Sequence, residues 1–328
     1  MIGPFVSVVT PVFNGAEYLS ECIESVLAQT HSDFEYLIVD NSSTDDTLNI
    51  AQYYSQRDSR IAVLRVPEHL PIIANWNYAV SRISPKSKYC KIVHSDDWIM
   101  RTCIEKMVAL AESRDSVGVV SAYRIEEAKV DFRGVTPERT VLPGHEVARA
   151  ALQRKMSVFG SPTSLLIRSD LIRDKAQFYD ESVLHADKDL CFRLLEDHDF
   201  GFISEILTYT RRHNESITSR TKQFGTRRLE NLIMLQRHGP RFFPKPQYEA
   251  LRQRALGNHH RNVARLLLSS WDPAVLSFHR RRLSEAGLTL SNFRLAIAFI
   301  LQLGNRMRTT RKSSDDSGRR KDEEDAEQ

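Results

Sequence analysis

The sequence predicts an α/β domain, a parallel sheet with helices on both faces, followed by a helical extension. Two patterns carry this expectation. Short apolar runs of strand character alternate with helical stripes through the first part of the chain, the rhythm of parallel strands joined by crossover helices. Beyond residue 220 the strong patterns are helical and the charge reverses: residues 1–219 carry 24 basic and 31 acidic side chains, residues 220–304 carry 15 and 4.

"FVSVV" is nearly continuous in apolar residues and ends at Pro11, as a strand buried on both faces does. After Asn14 and Gly15, apolar residues recur at Leu19, Cys22, Ile23, Val26 and Leu27, the stripe of an amphipathic helix. "FEYLIVD" is the second strand. Ser43 with Asp46 three positions later is an N-cap signal for a helix running through Tyr54. "IAVLRV" gives a third strand, "IIANWNYAV" a helical turn or two, and "YCKIVH" a fourth strand. "RTCIEKMVALAESR" is a helix and "VGVVSAYRI" a strand; signals then weaken between Glu126 and Ser157, a variable insertion with one helix near Glu146–Gln153. "SLLIRSDLI" and "CFRLLED" restore order, and "FGFISEILTYTRRH" is expected to form two short strand segments.

The 328-residue chain is long enough to bury a substantial core. Its expected division is a catalytic domain over 1–219, a basic helical region over 220–304, and a charged tail over 305–328 that should be disordered. Cys22, Cys90, Cys103 and Cys191 form no CxxC pair, which favours a reducing, cytoplasmic setting over a disulfide scaffold or thiolate metal site. "MIGPFVSVVTPVF" has no basic segment before its apolar run and reads as a strand, and no apolar run reaches the roughly 18 residues of a membrane span.

Three polar strand ends fall on one edge of such a sheet: "TPVFN", Asp40 in "VDNSSTDDT", and "HSDD". Ligands bind beyond the carboxyl ends of parallel strands, so these segments can share a pocket. A dinucleotide fold would need G-x-G-x-x-G after the first strand, whereas "TPVFNGAEYL" has one glycine. A dehydrogenase is thereby disfavoured. The adjacent Asp96 and Asp97 suggest instead a divalent ion, Mn²⁺ or Mg²⁺, since hard cations are held by one or two carboxylates plus substrate phosphates. Taken singly, each of these aspartates is more often a turn or cap residue than a site.

Together, "VSVVTPVFNGAEYLSECIESVLAQT", "YLIVDNSSTDDT", "KIVHSDDW" and "FYDESVLHADKDLCFRL" resemble the inverting glycosyltransferases of family 2, over Val6 to Ser219, which implies the GT-A fold, a mixed, mainly parallel sheet between helices. The resemblance implies transfer of a sugar from a nucleotide donor, most commonly UDP-linked, to a hydroxyl of a glycan or lipid-linked glycan acceptor in polysaccharide or glycoconjugate assembly. It puts Thr10, Pro11, Phe13 and Asn14 around the base and ribose, with Asp40 accepting a hydrogen bond from the base. Asn77 would line the nucleotide pocket, with Asn75 as the alternative alignment; Asp96 would approach the ribose or sugar, and Asp97 would be the metal ligand. Counting back from Arg193 places the general base at Asp187, with Asp189 its competitor; Ala186 stands where the family has glutamate. His213, and Arg211 on the same strand face, would meet the diphosphate. Trp98 and Trp76 are candidates for stacking or for the core.

Two further readings belong to other classes. A sugar-phosphate nucleotidyltransferase also uses a carboxylate-bound metal, but normally needs a glycine-rich basic loop near the N-terminus that this chain lacks. A non-catalytic nucleotide-sugar binding protein is hinted at only by Ala186. In "LSNFRLAIAFILQLGNRMRTTRK", Phe293, Ile297, Ile300 and Leu301 either pack on the catalytic domain or another subunit, or meet an anionic membrane at its inner face, peripherally. No nucleic-acid-binding motif accompanies the arginines.

Overall fold

A computed structural model describes residues 3–126, 129–131, 135–136, 138–173, 175, 177–211 and 224–303. The chain divides into two compact units, Met1–Asn214 and Glu215–Gln328. His213 and the charged tail lie outside the described residues.

The first unit is built around strands β1 (Val6–Val12), β2 (Phe34–Asp40), β3 (Ile61–Arg65) and β4 (Tyr89–Ile92), all parallel. β1 is buried at all seven positions, as an apolar central strand must be. Helix α1 (Leu19–Leu27) turns Leu19, Cys22, Ile23 and Val26 inward, the stripe legible in the sequence. Helices α2 (Thr47–Ser55) and α3 (Ile72–Val80) complete the crossovers. After β5 (Trp98–Ile99) and α4 (Cys103–Glu112), β6 (Val117–Glu126) joins the sheet, and β7 (Lys129–Asp131), β8 (Val141–Leu142) and α5 (Gly144–Leu152) follow. Then come β9 (Leu165–Arg168), α6 (Asp170–Arg173), α7 (Ala186–Leu194) and β10 (Asp199–Thr210).

Strand order is β3-β2-β1-β4-β9-β6-β10-β5. The sheet is mixed, since β9 runs antiparallel to both β4 and β6, and β5 antiparallel to β10. "DFGFISEILTYT" forms one strand of 12 residues rather than two segments; register shifts against β6 between Ile203 and Thr208 break its pattern without ending its pairing.

In the second unit, α8 (Arg227–Phe242), α9 (Lys245–Ser270), α10 (Pro273–Glu285) and a helix over 292–303 share a core of Leu229, Leu232, Val263, Leu267, Val275 and Leu283. His259 and His279 are fully buried there with ring centroids 4.9 Å apart. Burial, reinforced by His279 and His260, pushes the His259 pKa down to about 3, so this core is built on a neutral imidazole.

Candidate active site

Strand order reverses at β1, with β2 and β3 on one side and β4 on the other. The carboxyl ends of β1 and β4 therefore open a crevice, the expected ligand position in such a sheet. The turn after β1 is held by the loop after β2. Asn14, with φ of 49°, donates its N–H to Ser43 Oγ at 2.9 Å and accepts from Thr44 N at Oδ1. Gly15 N–H reaches Thr47 Oγ1 at 2.8 Å, and Ala16 N–H reaches Asp45 Oδ2 at 3.1 Å. Because Ser43 is drawn into this contact, it does not cap α2. That helix starts at Thr47, whose own N–H is met by Asp45 Oδ1.

The loop after β4 carries the second cluster. Ligand atoms of His94, Asp96 and Asp97 lie within 4.8 Å of one another. Asp97 is 3% exposed, and both of its carboxylate oxygens are oriented. Oδ2 accepts from Thr163 Oγ1 at 2.5 Å and Oδ1 from the backbone N–H of Arg211 at 3.0 Å. Burial, then the charge of Asp96, raises the Asp97 pKa to about 7 despite those donors. His94 Nε2 is buried without a hydrogen-bond partner, and burial lowers the pKa of the ring. Two crowded carboxylates and an imidazole nitrogen with no proton donor are a donor set that fits a divalent cation. Asp187 is partly exposed in the first turn of α7, and its charge, after that of Asp96, opposes the lowering of the His94 pKa.

Other expected residues divide into accessible and committed ones. Phe13 is 47% exposed at the crevice, its ring tilted against His69 at 4.3 Å. Thr10 and Pro11 are buried in β1, and the Thr10 hydroxyl donates to Val93 O at 2.8 Å, within the sheet. Asp40 is fully buried; Oδ1 accepts from Ser43 N–H at 3.1 Å, while Oδ2 has no hydrogen-bond donor, with Arg65 Nε 3.6 Å away. Asn77 is committed to the chain itself, clamping the Tyr179 backbone at 2.7 and 2.9 Å. Asn75, two positions earlier and on the opposite side of α3, is 5% exposed and its Oδ1 has no hydrogen-bond partner. The Arg211 guanidinium pairs with Glu21 at 2.6 Å and lies over Tyr18, so what it brings to the cluster is its backbone N–H. Asp189 is fully buried and bonded to Arg193 at 3.0 Å, which separates it from the more open Asp187. Trp98 stacks on Tyr209 at 5.0 Å, and Trp76 packs against His94 at 4.9 Å.

Three participants escaped the sequence reading. His94 directly precedes "SDD", so its adjacency was a usable signal. Thr163 gave none: it lies in the turn Pro162–Ser164, 66 residues from the carboxylate it binds. Lys91 is fully buried inside β4 and donates to the carbonyls of Thr163 and, at 3.2 Å, Leu165, holding that turn against the cluster. Burial lowers its pKa, opposed by Cys103 and Asp97.

The family model described as Glycosyl transferase family 2 matches residues 7–174. Glycosyltransferase GlyG of Streptococcus pneumoniae serotype 4 is 28% identical over 225 residues, spanning 65% of this chain and 72% of GlyG. Among solved structures, S. aureus TarS in complex with UDP superposes with a TM-score of 0.60 at 17% identity, over 89% of this chain and 86% of its own. Mannosyltransferase PcManGT from Pyrobaculum calidifontis, in complex with GDP-Man and Mn²⁺, gives 0.53 at 15% identity, over 93% and 80%. The reversal of strand order at β1, the acidic loop after β4 and the match over half the chain agree: this protein is a GT-A glycosyltransferase and belongs to glycosyl transferase family 2.

Proposed function

We propose that the protein transfers a sugar from a UDP-linked donor to a hydroxyl of a polysaccharide or lipid-linked glycan acceptor, with inversion at the anomeric carbon. The observation that carries this reading is the cluster of His94, Asp96 and Asp97 on the loop after β4, whose ligand atoms lie within 4.8 Å of one another, a donor set for a cation beside a diphosphate; the resemblance to family 2 adds Asp187 as the base. Asp187 takes the acceptor proton as the acceptor oxygen bonds to the anomeric carbon and the bond to the diphosphate breaks. The departure at Ala186 falls on a side chain at 1% exposure, and the carboxylate next to it, Asp187, is kept. This favours an enzyme over a binding protein.

Asp97, with Asp96 and His94, would hold a divalent cation. When bound, it supplies charge neutralisation to the diphosphate leaving group. Phe13 is the open surface for the base, and Asp40 Oδ2 is the acceptor left for its ring N–H. Within "NWN" we assign the pocket amide to Asn75, since Asn77 is spent on Tyr179. With Arg211 engaged by Glu21, the diphosphate contact falls to His213. Unpaired, buried cysteines support a reducing compartment.

The test is thermal unfolding with nucleotides. UDP with Mn²⁺ at about 100 times its Kd should add roughly 2.7 kcal/mol, a rise of about 5 °C or more, and EDTA should abolish it. A rise with GDP and none with UDP would overturn the uridine assignment; a rise insensitive to EDTA would overturn the cation site. Thr163→Val removes the donor to Asp97 while keeping the side chain's shape, and should weaken Mn²⁺ binding about tenfold, as outer-sphere partners of metal ligands do. Titration calorimetry measures it, and an unchanged Mn²⁺ affinity would dismiss Thr163 from the site.

A further inference from the structure

The last described helix, 292–303, is apolar on two faces. One face packs: Leu295 and Ala298 enter the core of the second unit at 7% and 3% exposure. On the other, Phe293, Ile297, Ile300 and Leu301 follow helical spacing at 74%, 43%, 69% and 55% exposure. A packed helix needs only one such stripe. Trp271 adds to this surface: it is 74% exposed, and its ring lies 6.3 Å from that of Phe299. It also ends α9 in the left-handed region, at φ of 42°, where glycine is the usual residue and a bulky side chain costs about 1 kcal/mol. Internal packing does not repay an exposed tryptophan held in a strained conformation.

The flanks of the stripe are cationic. Exposed Arg294 borders it, its Nη1 bonded to Gln253 Oε1 at 3.2 Å, and Arg280 Nη2 bonds to Asn292 Oδ1 at 2.8 Å, next to the start of the helix. Both belong to a region with 15 basic and 4 acidic side chains. Residues 305–328 contain two apolar side chains, Met307 and Ala326, against the four of the stripe. A second copy would bring like charges together. We propose that this face lies on an anionic lipid surface, with Trp271, Phe293 and Ile300 entering the headgroup boundary and the arginines meeting lipid phosphates. Among the described residues no helix is long and apolar enough to cross a membrane, so this helix would lie in the interface plane. A hydroxyl acceptor carried on a lipid would then be brought to the enzyme by its own surface.

The proposal does not depend on the transfer chemistry, because it is read by flotation of the full-length protein with vesicles. We expect binding to phosphatidylglycerol–phosphatidylcholine vesicles at least tenfold stronger than to phosphatidylcholine alone, and weaker at 0.5 M salt as charge is screened. Phe293→Ala/Ile300→Ala/Leu301→Ala should lose at least tenfold with an unchanged melting temperature, since these side chains are exposed. Arg280→Glu/Arg294→Glu should lose the preference for anionic vesicles. Equal binding to both vesicle types, or triple-variant binding equal to the parent, overturns the proposal. So does sedimentation showing a parent dimer that the triple variant dissolves, which would assign the face to a second copy.

Discussion

Asp187→Asn is expected to lower turnover by about 10³-fold, within the range that a positioned general base contributes, while the donor KM changes by no more than about threefold. Asparagine keeps the size of the side chain at a partly exposed position, so the melting temperature should hold. Steady-state assay of sugar transfer with stopped-flow donor binding measures both. Asp189→Asn provides the contrast. That carboxylate is fully buried against Arg193, and breaking the pair should cost about 3 kcal/mol of stability. If Asp187→Asn kept parental turnover, or Asp189→Asn alone removed turnover without loss of stability, the base would be misassigned.

Asp97→Asn should abolish stabilisation by Mn²⁺ and reduce transfer by at least about 10³-fold, because the group expected to anchor the cation beside the leaving diphosphate is gone. The same change should not weaken the cation-free protein. Asp97 has its folded pKa raised from 3.8 to about 7 by burial and Asp96, so the folded state favours the neutral form. Below about pH 4 the group is protonated in both states. As pH rises from there through 7, the unfolded chain releases the proton first and stability falls, until at pH 8 the fold bears the full cost of a buried carboxylate. Asparagine removes that cost. At pH 8 without metal, the variant's melting temperature should equal or exceed the parent's, and the difference should shrink toward pH 4. Calorimetric scans at the two pH values decide this; a variant less stable than the parent at pH 8 would mean that the ionised carboxylate holds the loop together unaided.

The parallel part of the sheet was legible because burial on both faces leaves a distinctive run such as "FVSVV", and α1 was legible because one-sided burial imposes its spacing. The antiparallel insertion of β9 between β4 and β6 was not, because "LLIR" has the same composition whichever way it runs and pairing direction is set by neighbours distant in the chain. The single long β10 was misread as two segments because shifts in register erase the alternation while pairing continues.

The loop "VDNSSTDDT" shows the division most clearly. Its polarity announced a strand end at the crevice, but only the fold showed Ser43, Asp45 and Thr47 turned toward the N–H groups of Asn14, Ala16 and Gly15. By itself the sequence determined the fold class and the acidic loop after β4, because each is written in a contiguous stretch whose pattern local physics requires; Asp187 and its competitor Asp189 came from the resemblance to family 2. Tertiary structure decided which of those groups are open and which are spent. It set Asn75 against Asn77, parted Asp187 from Asp189, and supplied Thr163, Lys91 and the Arg211 backbone as the frame of Asp97. The physical reason is that a hydrogen bond is satisfied by whatever donor the packing brings near. Such partners stand 66 and 114 residues from Asp97, where no local pattern links them to it.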